Sequence, residues 1–236
     1  MKGYNDRLFD RKSIRGKLHY ARFFWLEQKV KTYYPKAKSV MELGCFDAKT
    51  VDFLPKDLST YRGYDSNWEG GLDMAIERFK EVGHYKFENC ISLEDFSPPK
   101  SAFDITICME TLEHLPLKDL DAYIIKLFDA TKHLCFVSVP NEKGIVLIIK
   151  YLVKKIVLRS VTEEYSYGDL FNAFFGRLHK VERNEGGHKG FDYSKLVSQL
   201  EEQFIVEEIN GIPFRFLPRR LNFSIGIVLR KRRLSQ

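Results

Sequence analysis

Short apolar runs that stop on an acid, a glycine or a proline, each followed by a stretch of helical spacing, recur along this chain. "KSVMELG", "TYRGYD", "YKFENCI", "FDITICM" and "HLCFVSVP" read as five strands, with helices expected at "TVDFLP", "GGLDMAIERFKEVG" and "LKDLDAYIIKLFDAT". Strands that alternate with helices need crossover connections, and crossovers build a parallel sheet covered on both faces. "YSKLVSQLEEQ" predicts a further helix before two last strands, "FIVEEING" and "NFSIGIVLRK". The short link between those strands, "IPFRFLPRR", suits an antiparallel hairpin at one edge. The expected fold class is α/β: a seven-stranded, mostly parallel sheet with helices on both faces and an antiparallel edge strand.

Ahead of the sheet, residues 17–34 carry aromatics and aliphatics at helical spacing until Pro35 stops them. Residues 1–36 therefore read as an N-terminal helical segment and 37–236 as the main domain, with an insertion at about 142–190. A chain of 236 residues, 44% apolar and 30% charged, has the composition of a soluble globular domain. Its net charge of +6 fits an anionic partner (a nucleotide-like ligand, nucleic acid or a membrane surface) and fits a merely basic surface as well. Cys45, Cys90, Cys108 and Cys135 lie far apart without a C-x-x-C pair, which argues against a zinc ribbon and a disulfide framework. The opening "MKGYNDRLFDRKS" lacks the apolar stretch of a secretory signal, so a reduced, cytoplasmic protein is expected.

In an open sheet of this kind ligands bind beyond the carboxyl ends of the strands. The residues at those ends are Glu42 and Gly44, Asp65, Cys90, Met109 and Glu110, then Pro140 and Asn141. Gly44 permits a sharp turn and close backbone approach. Asp65 follows it by 21 residues (65 − 44) at the end of the next strand, where a carboxylate accepts hydrogen bonds from ribose hydroxyls. Such a pair also occurs in ordinary α/β proteins.

Taken in order, "VMELGCFDAKT", "YRGYDS", "NCISLEDF", "FDITICMETLEHL" and "LCFVSVPNEKG" resemble the class I S-adenosylmethionine-dependent methyltransferases. The resemblance covers residues 38 to 141, and the strand order extends it to about residue 230. It implies a Rossmann-like sheet and S-adenosyl-L-methionine as cofactor. It also implies Glu42, Gly44 and Cys45 in the first loop beside the methionine part and ribose, and Asp65 on the ribose hydroxyls. Ser66 and Asn67 would then lie near the adenine, and Met109 and Glu110 on the cofactor's far side. Cys90 and Ile91 stand where the family often has an acid at the adenine amino group, so that contact would come from backbone groups or be absent. Phe46 and Ala48 stand where the family's first loop has glycines. A pyrophosphate needs the close approach that glycines give. S-adenosylmethionine carries no phosphate, so one tight turn at Gly44 suffices, and NAD and FAD are disfavoured.

Glu110, Glu113 and His114 have the spacing i, i+3, i+4, which places three side chains on one face of a helix. With His188 from "GGHKGFDYSKL" they form a candidate set for a divalent metal. The disposition resembles the small-RNA 3′-end 2′-O-methyltransferases and, more loosely, the quinone-biosynthesis O-methyltransferases. Against this stands a plainer reading, in which acids favour the positive end of a starting helix. Without a metal, His114 or His188 is the candidate catalytic base for O-methyl transfer.

"GIVLIIKYLVKKIVLR" in the insertion places Ile145, Val146, Ile149, Leu152, Val153, Ile156 and Val157 on one helical face, with Lys150, Lys154, Lys155 and Arg159 on the other. It is too short and charged to span a bilayer. Residues 145–159 would lie peripherally at a membrane surface, or pack over the sheet, or meet a second subunit in a homo-oligomer. Tyr165, Tyr167, Phe171, Phe174 and Phe175 follow as pocket-lining aromatics or as the core of a small lid. The sequence thus predicts a methyltransferase, with O-methylation of a small-molecule or lipid-linked acceptor (sugar, glycan or quinone-like) as the first expectation. Methylation of an RNA 3′ end and a non-catalytic binding protein are the alternatives.

Overall fold

The computed structural model describes residues 14–153, 155, 165–184 and 186–232. Seven strands form one sheet in the order β3-β2-β1-β4-β5-β7-β6. They are β1 (Ser39–Leu43), β2 (Thr60–Asp65), β3 (Tyr85–Asn89), β4 (Phe103–Met109), β5 (Thr131–Pro140), β6 (Phe204–Ile212) and β7 (Ser224–Lys231). β1 to β5 pair in parallel, with Leu43 beside both Tyr64 and Cys108, so the carboxyl ends of β1, β2 and β4 finish level. The expected hairpin does form the far edge. Within it β7 is the reversed strand, wedged between β5 and the outermost β6.

Among the described residues six α-helices accompany the sheet: α1 (Ile14–Tyr33), α2 (Gly71–Arg78), α3 (Leu120–Ala130), α4 (Ile145–Leu152), α5 (Tyr167–Phe174) and α6 (Tyr193–Gln203). Side chains of a strand alternate across the sheet, so each strand feeds two cores. Met41, Leu43, Cys108, Val137 and Ile227 meet α3 and α6 on one face. Val40, Ile105, Ile107 and Phe136 meet α1 on the other. α1 is locked to the sheet: Trp25 packs where a side chain on Gly226 would sit and donates from Nε1 to Asn210 Oδ1 at 3.1 Å.

α4 departs from the expected helical wheel. Its described part ends at Leu152 with Val153 following, and Lys154, Ile156, Val157 and Arg159 lie outside the described residues. Val146 and Leu147 are buried, but Ile145, Ile149, Leu152 and Val153 are exposed. Lys150, expected on the outer face, turns inward. Its ammonium donates to Asn141 O (2.9 Å), Phe223 O (3.0 Å) and Glu142 Oε1 (3.1 Å). An ammonium has three donors and here finds three acceptors, so the inward charge is fully bonded. No helix among the described residues is long and apolar enough to cross a membrane.

Candidate active site

The first loop keeps a glycine-type backbone without the glycines. Gly44, Phe46 and Ala48 all have positive φ, at 77°, 47° and 53°. Every second residue is therefore left-handed, a conformation that costs a side-chain-bearing residue about 1–2 kcal/mol. Phe46 recovers part of this by packing its ring against Gly71 at the start of α2 and near Trp68. Gly44 is indispensable for a second reason: a Cβ there would lie 2.0 Å from Thr111 Oγ1. The loop after β1 and the loop after β4 thus close on one another.

Asp65 ties the second strand to the same place. Its Oδ2 accepts from Phe46 N (2.8 Å) and its Oδ1 from Asn67 N (2.9 Å), while Tyr64 O accepts from Gly44 N at 2.7 Å. Burial pushes the Asp65 carboxyl up, and the N–H groups of Phe46, Asn67 and Trp68 oppose that shift. A carboxylate offers about four acceptor positions, so capacity for a ribose hydroxyl remains. Ser66 is exposed beside it. An acid, Asp95, closes the turn after β3. Cys90 is buried, its thiol pushed up to about 11 by burial, and Ile91 is exposed, while Asp95 Oδ2 accepts from Ile91 N (3.0 Å) and Ser92 N (2.9 Å). The Ile91 N–H is therefore spent on this turn. The S-x-x-D spacing of Ser92 and Asp95 is the sequence signal for it.

Glu42 and Cys45 lie beneath the loop rather than at an open surface. Glu42 accepts from Thr50 Oγ1 at 2.6 Å and from the Tyr61 hydroxyl, and burial pushes its carboxyl up to about 8. Cys45 is buried against Gly63. Alternation along β1 explains both positions: Glu42 points into the α1-side core, while its neighbours Met41 and Leu43 point into the other.

The second half of the site corrects the helical face expected for Glu110, Glu113 and His114. Glu110 has φ 52°, and only Leu112–His114 form a single 3-10 turn. Leu115 precedes Pro116 and is extended (φ −75°, ψ 146°), the conformation a following proline imposes, so no helix grows until α3. Met109 is buried, and Glu110 is drawn toward β5, its Oε1 accepting from Ser138 Oγ at 3.2 Å. Glu113, by contrast, has a side chain with no exposed surface and two oxygens without a hydrogen bond among the described residues. Burial and the charge of Glu110 push its carboxyl well up.

His114 and His188 face those oxygens. Each Nε2 is 3.9 Å from Glu113 Oε1, and the two Nε2 atoms are 3.2 Å apart. A point equidistant from these three atoms lies roughly 2.1 Å from each, within the ~2.0–2.2 Å of ordinary metal–nitrogen and metal–oxygen bonds. His114 Nδ1 sits 2.8 Å from Gly186 O, which only accepts, so Nδ1 carries the hydrogen and Nε2 offers its lone pair. A buried carboxylate without a hydrogen bond among the described residues and two converging imidazoles fit a divalent cation. Glu110 stands outside this set of three.

Two neighbours of this cluster, Glu142 and Arg183, follow from no motif or periodicity in the sequence. Glu142 is buried and places Oε1 3.9 Å from His188 Nδ1. Arg183 donates to Glu113 O, to Gly187 O (2.9 Å) and to Lys189 O (3.3 Å), which fixes the turn carrying His188.

No family model matches the sequence, and no curated protein matches it. Solved structures do match. The methyltransferase domain of bacterial CtHen1 is 18% identical at a TM-score of 0.61, over 90% of this chain and 99% of that one. Magnesium protoporphyrin IX methyltransferase (ChlM) from Synechocystis PCC 6803, with bound SAH, is 15% identical at 0.62, over 98% and 89%. The small RNA methyltransferase HEN1 is 18% identical at 0.60, over 93% of this chain and 26% of that one. The chain has the Rossmann-like fold of the S-adenosylmethionine-dependent methyltransferases.

Proposed function

We propose that this protein is an S-adenosylmethionine-dependent O-methyltransferase whose acceptor is a sugar hydroxyl presented to Glu113, His114 and His188. The observation that carries the reading is the convergence of those three side chains around the stripped, buried Glu113 carboxylate, on the sheet end where Gly44 and Asp65 also meet. Asp65 would hold the cofactor's ribose, and the turn at Gly44 would let the chain pass close to its methionine part. A divalent cation held by Glu113, His114 and His188 would polarise the bound hydroxyl and lower its pKa.

In the transfer, the hydroxyl oxygen attacks the methyl carbon, the carbon–sulfur bond breaks toward sulfur, and the hydroxyl proton leaves to a base or water. In-line alignment supplies most of the acceleration such a step needs. Arg183 and the Gly186 carbonyl keep the imidazoles aimed, and Glu110, anchored on Ser138, would line the cofactor side. The exposed Ile145, Ile149, Leu152 and Val153 support an apolar or lipid-linked carrier for the sugar.

Methylation of an RNA 3′ end is the second reading. The likeness to the structures of CtHen1 and the small RNA methyltransferase HEN1 favours it, together with the Glu–His–His convergence of this chain. Incubation with labelled S-adenosylmethionine and fractionated cell extract, with and without a chelator, tests the proposal. Label in a glycan, lipid-linked or RNA fraction that disappears on chelation is the expected result. Label that is indifferent to chelation removes the metal from the account, and absence of label removes the activity.

A further inference from the structure

An open cleft of about 340 Å³ is lined by Tyr193 and Ser194 of α6 and by Pro218, Arg219 and Arg220 of the β6–β7 connection. None of its lining residues carries a carboxylate. Arg219 and Arg220 stand side by side on a 3-10 turn, both exposed, and no hydrogen bond or ion pair among the described residues reaches either guanidinium. Two adjacent positive charges repel one another, and a surface that keeps them unpaired leaves that repulsion for a ligand to relieve.

The connection that presents them is rigidly built. Asn222 is fully buried; its Oδ1 accepts from Phe214 N (2.7 Å), while Nδ2 donates to Phe214 O (3.1 Å) and Pro218 O (3.3 Å). Asn141, also fully buried, donates from Nδ2 to Asn222 O at 2.9 Å and reaches Arg220 O at 3.5 Å. Asn141 directly precedes Glu142, the residue facing His188. Lys143, next in sequence, donates to Ser194 Oγ (2.7 Å) and Asp192 Oδ1 (2.8 Å) and lies over the Tyr193 ring. The strand end that borders the Glu–His–His cluster is thus bonded to both walls of the cleft.

We infer that Arg219 and Arg220 form a phosphate-binding subsite for the acceptor, so that the sugar accepting the methyl group carries a phosphate or phosphodiester. This rests on the reading of the neighbouring cluster as the acceptor site. Guanidinium groups suit a phosphate because their donors match its oxygens two at a time. A platform held by buried asparagines spends little entropy in meeting it.

Calorimetry with ribose, ribose 5-phosphate, a nucleoside diphosphate sugar and a ribodinucleotide tests the subsite on the full chain, wild type against Arg219→Gln/Arg220→Gln. Both substitutions fall on exposed side chains, and thermal melting of the variant checks its fold. The subsite requires at least tenfold weaker binding of the phosphorylated probes by the variant and no change for ribose. A stronger effect on the dinucleotide assigns the phosphate to a nucleic-acid strand, and a stronger effect on the diphosphate sugar to a small or lipid-carried phosphate. Equal affinities in wild type and variant overturn it. S-adenosylmethionine titrated into both proteins separates the two failures: wild type that binds phosphorylated sugars but no cofactor refutes the methyltransferase reading and leaves the subsite standing.

Discussion

His114 and His188, 74 residues apart in the chain, bring their Nε2 atoms to 3.2 Å over the buried carboxylate of Glu113. One imidazole rides on the turn after β4 and the other on the turn before α6, so the pair exists only in the folded chain. Substituting His188 with alanine removes one of three converging ligands. Because even outer-shell changes cost metal sites about 10–100-fold, turnover and divalent-ion affinity should fall by at least 100-fold, with S-adenosylmethionine affinity unchanged by calorimetry.

Glu113 is expected to trade stability for function. A buried carboxylate without hydrogen bonds costs on the order of 1–3 kcal/mol or more. Glu113→Gln removes the buried ionisable group at nearly constant shape, so without added metal the variant melts higher than wild type, and divalent ions raise its melting temperature less. Differential scanning calorimetry with and without metal reads both effects.

Burial pushes Glu42 from 4.5 up to about 8. A carboxyl raised in this way binds its proton more tightly folded than unfolded, so its contribution is full at low pH and is lost as pH climbs from about 4.5 to about 8. At roughly 1.4 kcal/mol per pH unit the loss amounts to several kcal/mol. Urea midpoints at about pH 5 and about pH 9 should differ in wild type, weaker at the higher pH, and differ less in Glu42→Gln, where Glu113, also raised by burial, keeps part of the dependence.

The first loop predicts two opposite glycine effects. Ala48 holds φ 53°, and Ala48→Gly relieves that strain, for a gain of about 1 kcal/mol in urea unfolding. Gly44→Ala collides with Thr111 and holds φ 77°, so it destabilises the protein and abolishes cofactor binding.

Much of this arrangement was legible in the sequence because it is local. β1 to β5 announce themselves as apolar runs with marked ends, and the placement of Gly44 and Asp65 follows from strand order. What the sequence hid depends on the third dimension. Pro116 cut short the helix that the Glu110–His114 spacing suggested. Three acceptors turned Lys150 inward, and most of the apolar stripe of α4 faces outward. Glu142 and Arg183 meet the His188 turn through contacts that no periodicity encodes.

Isothermal titration of S-adenosylmethionine into the wild type and Asp65→Ala tests the central claim most directly. The account predicts one-to-one binding by the wild type and at least tenfold weaker binding by the variant. Equal affinities would move the cofactor away from Asp65, and no binding heat from the wild type would contradict the account outright.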